Sequence, residues 1–263
     1  MGYYLGIDIG SGTSKGVVIQ NSDVIASHSL RSGVNYKLAV QKLRQELLEK
    51  AKISIDDVAG TVATGQGACM VEYADRQVAD IRCCARGMNS AFPEVRTIID
   101  VEGQSTQVLR INGQGQVINF IISERCASGA GRFLDIIANV LQIPLGEIGA
   151  LSLKSNNPVI FTTACAVFGE SEAVSRVAEG ISKEDILAGV HKALAEKIGS
   201  MVDRVGMEPK YGICGGGALN VGLVEWVRRR LGVELLVPSE PDFITALGAA
   251  IFAREQGKTN SSS

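Results

Sequence analysis

The chain has 263 residues, of which 46% are apolar, and its 26 basic and 28 acidic residues leave a net charge of −2. This length can bury a hydrophobic core in one large or two closely associated domains. The mixed charges argue against a protein that binds nucleic acid or an anionic membrane, and no uncharged apolar run of 18 residues predicts a transmembrane helix. Because the first residues enter a predicted strand without a signal-peptide pattern, we expect a cytoplasmic protein.

The first predicted elements are a meander of three strands, a helix and a fourth strand. In chain order they are YYLGIDIG, SKGVVIQ, VIASHSL, YKLAVQKLRQELLEKA and GTVATG. A second three-stranded meander follows, with the segments VRTIIDVEGQS, TQVLRING and QVINFIISE. Because both meanders place a glycine-containing turn after an aspartate, the sequence indicates a duplicated domain.

The rest of the chain predicts mainly helices. Helical spacing runs from residue 131 to about residue 206, with breaks at Ile143–Pro144 and at a predicted strand, PVIFTT. The chain closes with the strand and turn YGICGGGALN, the helix VGLVEWVRRRLG, the strand VELLVP and the helix DFITALGAAIFAREQ.

These elements predict two lobes. The first comprises residues 1–94 and is joined by a C-terminal helix at residues 242–257, and the second comprises residues 95–241. Since no linker rich in proline and serine separates them, we expect the lobes to share a cleft. Residues 258–263 are predicted to be a disordered tail.

The first glycine-rich turn, in GIDIGSGTSKG, has residue types that suit a phosphate group. Asp8 ends a strand and can hold Mg²⁺ directly or through water, and Lys15 supplies a positive charge. The turn itself offers backbone N–H groups that can approach a phosphate closely. An ordinary hairpin has the same composition, so this turn alone leaves both interpretations open. Its four residues are Gly10, Ser11, Gly12 and Thr13.

Two further turns add specificity. The second, in IIDVEGQST, again follows an aspartate, Asp100, and contains Gly103, Gln104 and Ser105. Two such hairpins could hold a polyphosphate from opposite sides. The third turn joins a strand to a helix and allows a ring system or ribose to approach the backbone. Its glycines are Gly215, Gly216 and Gly217.

Two of the six cysteines stand just before predicted helices. Cys126 lies in SERCASGAGRFLD and Cys165 in TTACAVFGESE. None of the six forms a C-x-x-C pair, and a cytoplasmic protein is not expected to use them as disulfides. From the residues alone, the favoured interpretation is that both cysteines are small buried apolar side chains, which is common for free cysteine. We assign no role to the others, which are Cys69, Cys83, Cys84 and Cys214, or to His28 and His191.

The three turns together resemble the first phosphate, second phosphate and adenosine motifs of the actin, hexokinase and heat-shock-chaperone ATPase superfamily. CASGAGRFLD and TTACAVFGESE narrow the match, since they resemble signatures of the activator, or archerase, proteins of 2-hydroxyacyl-CoA dehydratases. The ATPase subunits of benzoyl-CoA reductase share this family. The resemblance covers about residues 3–256. It implies an α/β protein with a duplicated actin-like, ribonuclease H-like ATPase fold and two lobes around a nucleotide cleft.

The resemblance also implies ligands and roles. Asp8 and Asp100 would be catalytic and would position Mg²⁺ and water. The first turn with Lys15, the second turn and the third turn would hold ATP or ADP. Cys126 and Cys165 of two identical chains would together hold one [4Fe–4S] cluster, because a cubane takes four thiolates and a symmetric dimer supplies two pairs.

The implied activity is ATP-driven transfer of a low-potential electron. Ferredoxin or flavodoxin would be the donor, and a 2-hydroxyacyl-CoA dehydratase-type iron–sulfur enzyme would be the partner. Three alternatives stay open at this point. They are service to a benzoyl-CoA reductase-like or other low-potential enzyme, a cluster-free small-molecule kinase of the same fold, and a nucleotide-binding module without hydrolysis.

The second phosphate turn departs from the family pattern at three positions. Glu102 replaces a glycine, Ser105 an aspartate and Gln107 a lysine. The exchange adds a carboxylate near the expected phosphates and removes one cation and one Mg²⁺ contact. It therefore bears on the rate of hydrolysis more than on nucleotide binding.

Overall fold

The computed structural model describes residues 2–123, 131–161 and 166–260. The chain forms two compact units. Unit 1 consists of Met1–Glu94, Asn112–Val117 and Phe243–Ser263, and unit 2 of Val95–Ile111 and Ile118–Asp242.

The strands are β1 (Tyr3–Ile9), β2 (Thr13–Gln20), β3 (Asp23–Arg31), β4 (Val58–Thr64), β5 (Arg76–Gln77), β6 (Thr97–Val101), β7 (Thr106–Ile111), β8 (Val117–Ile122), β9 (Tyr211–Cys214) and β10 (Leu235–Leu236). The helices are α1 (Tyr36–Ala51), α2 (Asp80–Ala91), α3 (Gly131–Leu141), α4 (Leu145–Ser152), α5 (Ala166–Ala178), α6 (Lys183–Val205), α7 (Val221–Leu231) and α8 (Ile244–Asn260).

Unit 1 is a five-stranded sheet in the order β3-β2-β1-β4-β5. β1 is antiparallel to β2 and parallel to β4, and β4 is parallel to β5. Helices cover both faces, because alternate residues of a strand point to opposite sides. In β2, Val18 belongs to the apolar cluster that includes Leu43 of α1, whereas Val17 and Ile19 pack with Ala246 and Ala250 of α8.

Unit 2 repeats this arrangement. Its sheet has the order β10-β9-β6-β7-β8, which is the order of unit 1 written from the other edge. β6 is antiparallel to β7 and parallel to β9, as β1 is to β2 and β4. The predicted α/β class and duplicated actin-like fold are therefore confirmed.

The two sheets differ in the connection that precedes the fourth strand in chain order. Between β3 and β4 the chain forms the long helix α1, whereas between β8 and β9 the described residues form α3, α4, α5 and α6. Phe133 of α3, Ile148 of α4 and Leu194 of α6 are buried in one apolar cluster with Ile99 of β6. The longer connection thus supplies most of the core on one side of the second sheet.

The strand predicted for PVIFTT is wrong in its described part, residues 158–161, which form no strand. Val159 donates its backbone N–H to the Asp185 carbonyl at the start of α6, at 3.1 Å. Val159 and Phe161 pack against the unit 2 core. The apolar residues of this segment are therefore explained by burial against helices, which periodicity alone does not distinguish from strand pairing.

The C-terminal helix α8 continues through Asn260, so residues 258–260 of the predicted disordered tail are helical. Residues 261–263 lie outside the described part of the chain. In the described ranges, no single helix is long and apolar enough to span a membrane, and the bent pair α3–α4 meets that criterion by length and composition only.

Candidate functional site

Asp8 lies near the end of β1 and faces Lys15 across the antiparallel pair with β2. The Lys15 Nζ and Asp8 Oδ2 atoms are 3.8 Å apart, and the two side chains are only 3% and 7% exposed. A buried ion pair at this distance holds opposite charges together in a weakly screened environment. The structure therefore brings together the carboxylate and the lysine that the sequence singled out in unit 1.

The first glycine-rich turn lies directly beyond this pair. The Gly10 N–H donates to the Thr13 carbonyl at 3.1 Å, which closes the turn. Gly12 and Thr13 are exposed and Ser11 is partly exposed, so the backbone of the turn is accessible to a ligand. This geometry agrees with a turn that approaches a phosphate through its N–H groups.

Ser32 supports the turn, and sequence reasoning missed it. Its hydroxyl donates to the Gly10 carbonyl at 2.6 Å, and its N–H donates to the Gly12 carbonyl at 3.0 Å. The buried Ser14 hydroxyl lies 2.8 Å from the Ser32 hydroxyl. The only signal in the sequence is a serine just after a predicted strand, which is too common to identify a role.

In unit 2, Asp100 has the position that Asp8 has in unit 1. It lies near the end of β6, is 1% exposed, and faces Gln107 across the pair with β7. In the parallel direction it is level with Cys214 of β9, as Asp8 is level with Thr64 of β4. Lys15 and Gln107 are therefore structurally equivalent, and so are Thr64 and Cys214.

The second turn is closed by the Glu102 N–H, which donates to the Ser105 carbonyl at 2.9 Å. Gly103 and Gln104 are exposed. Two backbone N–H groups at the start of α3 donate to carbonyls of this turn. Gly131 donates to Glu102 at 3.3 Å and Arg132 donates to Gly103 at 2.9 Å. The turn after Asp100 is thus hydrogen-bonded to the first residues of a helix.

The third turn follows β9 and packs against the end of β6 within unit 2. Gly215 has a left-handed backbone, with φ of +81°, and a Cβ atom there would lie 2.5 Å from Asp100 Oδ1. Gly216 is exposed and Gly217 is buried against Val101. The structure therefore brings all three predicted glycines of this turn to the end of β6 that carries Asp100.

Sequence reasoning missed the counterpart of this turn in unit 1. Gly65 follows β4, has φ of +84°, and a Cβ atom there would overlap Asp8 Oδ1. Gly67 packs against Ile9 as Gly217 packs against Val101. The signal that could have identified the turn is the match of TGQGA with CGGGA after the fourth strand of each sheet.

His191, to which the sequence assigned no role, is buried on α6 beside the third turn. Its Nδ1 lies 2.7 Å from the Leu187 carbonyl and its Nε2 lies 3.2 Å from Asn220 Oδ1. Burial lowers the pKa of His191, and the two hydrogen bonds oppose this shift. Asn220 Oδ1 also accepts the Leu223 N–H and so caps α7. His191 therefore contacts the residue that joins the turn to its helix.

Cys126 and Cys165 lie outside the described residues, so their predicted role remains a prediction. Cys83 and Cys84 are buried in α2, and Cys214 is buried at the end of β9. Burial raises the pKa of Cys83 to about 12, so this thiol is protonated at neutral pH.

Comparison with known proteins places these features in a family. The model of the BadF/BadG/BcrA/BcrD ATPase family matches residues 5–253. A 2-hydroxyisocaproyl-CoA dehydratase activator from Clostridioides difficile is 38% identical over 257 residues, which are 97% of this chain and 96% of the relative. The (R)-2-hydroxyglutaryl-CoA dehydratase activating ATPase of Acidaminococcus fermentans is 35% identical over 95% of this chain and 96% of its own length.

A solved structure shows the same similarity. The activator of the 2-hydroxyisocaproyl-CoA dehydratase from Clostridium difficile, determined with bound ADPNP, superposes with a TM-score of 0.94. The sequences are 37% identical, and the match covers 99% of this chain and 97% of that one. The fold and the family predicted from the sequence are thus confirmed by independent comparisons.

Proposed function

Since the chain belongs to the BadF/BadG/BcrA/BcrD ATPase family, we propose that it is an ATP-dependent activator of a 2-hydroxyacyl-CoA dehydratase. In this role it accepts one electron from ferredoxin or flavodoxin and passes it to the dehydratase, and ATP hydrolysis accompanies the transfer. The observation that carries the proposal is the hydrogen bonding between the Asp100 turn and the start of α3, because Cys126 precedes that helix by five positions.

The nucleotide roles follow from the chemistry of the described residues. The carboxylates of Asp8 and Asp100 are oxygen ligands of the kind that Mg²⁺ prefers, and both are buried at strand ends. Lys15 is the cation beside Asp8. In the proposal these groups orient Mg²⁺ and the attacking water, since phosphoryl transfer depends mainly on positioning and charge. The exposed residues of the first two turns hold the phosphates, and Gly215, Gly216 and Gly217 contact the adenosine.

The cluster roles rest on the two cysteines outside the described residues. Cys126 and Cys165 of two copies supply the four thiolates of one [4Fe–4S] cluster, so the active form is a homodimer. When bound, the cluster supplies the one-electron redox chemistry. The first described helix after Cys165, α5, begins at Ala166, and the positive end of a helix dipole stabilises thiolate.

The hydrogen bonds at the start of α3 connect the nucleotide to the cluster. In the proposal, loss of the γ-phosphate moves the Glu102–Gly103 backbone, and the N–H groups of Gly131 and Arg132 follow because they are bonded to it. A nucleotide can shift this equilibrium only by binding one arrangement more tightly than the other. ATP and ADP are therefore expected to favour different positions of α3.

Metal analysis tests the cluster. Anaerobically purified protein is expected to contain about four irons and four acid-labile sulfides per dimer, with the brown absorption of a cubane. Cys126→Ser should lose them. Cys69→Ser is the matched control, because Cys69 is an exposed thiol of unit 1. Iron-free wild-type protein after anaerobic reconstitution would refute the cluster and favour a kinase of this fold.

An activity assay tests the partner. A purified 2-hydroxyacyl-CoA dehydratase, inactive as isolated, should gain activity when this chain, a chemical reductant and Mg-ATP are added together. The non-hydrolysable analogue ADPNP should not replace ATP over repeated turnovers. If the protein contains the cluster and hydrolyses ATP but activates none of the dehydratases tested, its partner is another low-potential enzyme.

A further inference from the structure

The same glycine geometry occurs beside each of the two aspartates. We infer that Gly65 and Gly215 are positioning residues that fix the carboxylates of Asp8 and Asp100. The segment TGQG of unit 1, residues 64–67, is then a fourth turn of the nucleotide site. The inference rests on the proposed nucleotide role of these aspartates. It changes the role of Gly215, which sequence reasoning assigned to adenosine contact alone.

In unit 1, β4 ends at Thr64, which is level with Asp8 on β1. The next residue, Gly65, turns into the left-handed region at φ of +84°. A Cβ atom there would overlap Asp8 Oδ1 and would lie 2.7 Å from the Ile9 carbonyl oxygen. The Ile9 carbonyl also accepts the Gly67 N–H at 2.9 Å, so this backbone is held in place. A larger residue at position 65 would have to displace the Asp8 carboxylate, the Ile9 backbone or both.

In unit 2 the same relation holds. β9 ends at Cys214, level with Asp100, and Gly215 has φ of +81°. A Cβ atom there would lie 2.5 Å from both Asp100 Oδ1 and the Val101 carbonyl oxygen. The Gly215 N–H donates to the Pro241 carbonyl at 2.8 Å, which fixes the turn. Two turns of different sequence thus place a Cβ-free residue against the same oxygen atom of the equivalent aspartate.

Backbone geometry alone does not account for this contact. Gly232 also has a left-handed backbone, with φ of +65°, and ends α7, but nothing lies within 4 Å of its Cβ position. A left-handed glycine therefore occurs in this chain without any carboxylate beside it. All three positions have a positive φ, which disfavours alanine, but Gly215 combines it with ψ of 173° and Gly232 with ψ of 29°. The contact with the aspartate is specific to Gly65 and Gly215.

A double-mutant cycle separates a positioning role from a general loss of stability. The probe is a fluorescent ATP analogue, mant-ATP, titrated with and without Mg²⁺, alongside phosphate release. Gly65→Ala is expected to weaken the Mg²⁺-dependent part of mant-ATP binding about tenfold and to lower kcat about 100-fold, the range for a displaced catalytic group. Gly232→Ala controls for the positive φ alone and should leave both within about twofold.

The cycle is completed with Asp8→Asn. If Gly65 acts through Asp8, Gly65→Ala should cause no further loss of Mg²⁺-dependent binding in the Asp8→Asn protein. An equal loss in both backgrounds, or wild-type behaviour of Gly65→Ala, would overturn the inference. If Gly65→Ala does not fold, the same cycle is made with Gly215→Ala and Asp100→Asn, and the same outcomes decide.

The outcomes also separate this inference from the proposed function. If the wild-type chain binds and hydrolyses mant-ATP but contains no iron, the electron-transfer role is refuted. The double-mutant cycle then still decides the inference about the glycines. A wild-type chain that does not bind mant-ATP refutes both. Iron-containing, ATP-hydrolysing protein with an additive cycle refutes only the inference.

Discussion

The hairpins β1–β2 and β6–β7 place an aspartate at the same point of equivalent sheets but differ in the residue opposite it. In unit 1 that residue is Lys15, 3.8 Å from Asp8, and in unit 2 it is Gln107. Lys15 and Gln107 are each only 3% exposed, so unit 2 has a buried neutral amide where unit 1 has a buried ammonium. The duplicated fold therefore preserves the position of the carboxylate while the charge balance around it differs.

This difference predicts a division of labour, in which the two units contribute unequally to the proposed nucleotide site. A buried lysine beside an aspartate can neutralise phosphate charge as well as hold the carboxylate, whereas glutamine can only donate and accept hydrogen bonds. The second turn, in unit 2, is also hydrogen-bonded to the start of α3. This helix belongs to the long connection between β8 and β9, which has no equivalent in unit 1. We expect unit 1 to contribute more to phosphate charge neutralisation and unit 2 more to sensing hydrolysis.

The largest expected effect comes from the aspartates themselves. Asp8→Asn should lower kcat for ATP hydrolysis by about 10²–10⁴-fold, the range for loss of an oriented acid–base or metal-positioning group. Either change removes the negative charge beside the buried Lys15 ammonium, and breaking a buried pair costs about 3–5 kcal/mol. Asparagine is preferable to alanine, because its amide oxygen can still accept a hydrogen bond from the ammonium. Phosphate release and thermal unfolding are measured together. A folded Asp8→Asn protein with unchanged turnover would remove Asp8 from the site.

Exchange of the opposing residues should have an intermediate effect. Lys15→Gln makes unit 1 resemble unit 2 and is expected to weaken ATP binding about 10- to 100-fold, since a charge-assisted contact contributes roughly 1.5–3 kcal/mol. Gln107→Lys should strengthen ATP binding by a smaller factor. Isothermal titration with ATP and ADP measures both. Equal effects of the two exchanges would contradict the division of labour between the units.

The smallest expected effect concerns pH. The folded pKa of His191 is lowered by burial, so below about pH 6.5 the unfolded chain binds a proton that the folded chain does not. The stability contributed by neutral His191 is therefore present above about pH 6.5 and is lost as the pH falls. The loss is at most about 1.4 kcal/mol per pH unit.

His191→Gln tests this expectation, because glutamine keeps a polar group near Asn220 without a titratable proton in this range. Its unfolding midpoints are compared with those of the wild type at pH 7.5 and pH 5.5. The variant should show the smaller difference between the two pH values. An equal difference would show that other groups cause the pH dependence.

Local patterns predicted the strands and helices well where periodicity was strong. The helix α1 has the predicted bounds, and the strands of both meanders form, with β1–β2, β2–β3 and β6–β7 antiparallel. The strand predicted for PVIFTT was wrong in its described residues, 158–161, since a short apolar run can bury itself against a helix as readily as it can pair in a sheet. Sequence spacing shows that a segment is buried but not which element covers it.

The candidate site was predictable only where residue types are distinctive. Aspartates followed by glycine and hydroxyl residues marked two turns, and CGGG marked a third. Ser32 and Gly65 could not be identified from their own surroundings, because their contacts with Gly10 and Asp8 depend on how distant strands are placed side by side. The equivalence of Lys15 and Gln107 likewise required the register of the strands.

The long connection between β8 and β9 also has a consequence for biogenesis. Its helices α3, α4 and α6 bury Phe133, Ile148 and Leu194 in the apolar core of unit 2. Folding of small metal-dependent domains requires the metal, but a unit with its own apolar core does not. The newly synthesised unit is therefore expected to fold without iron, and the proposed cluster would be assembled afterwards.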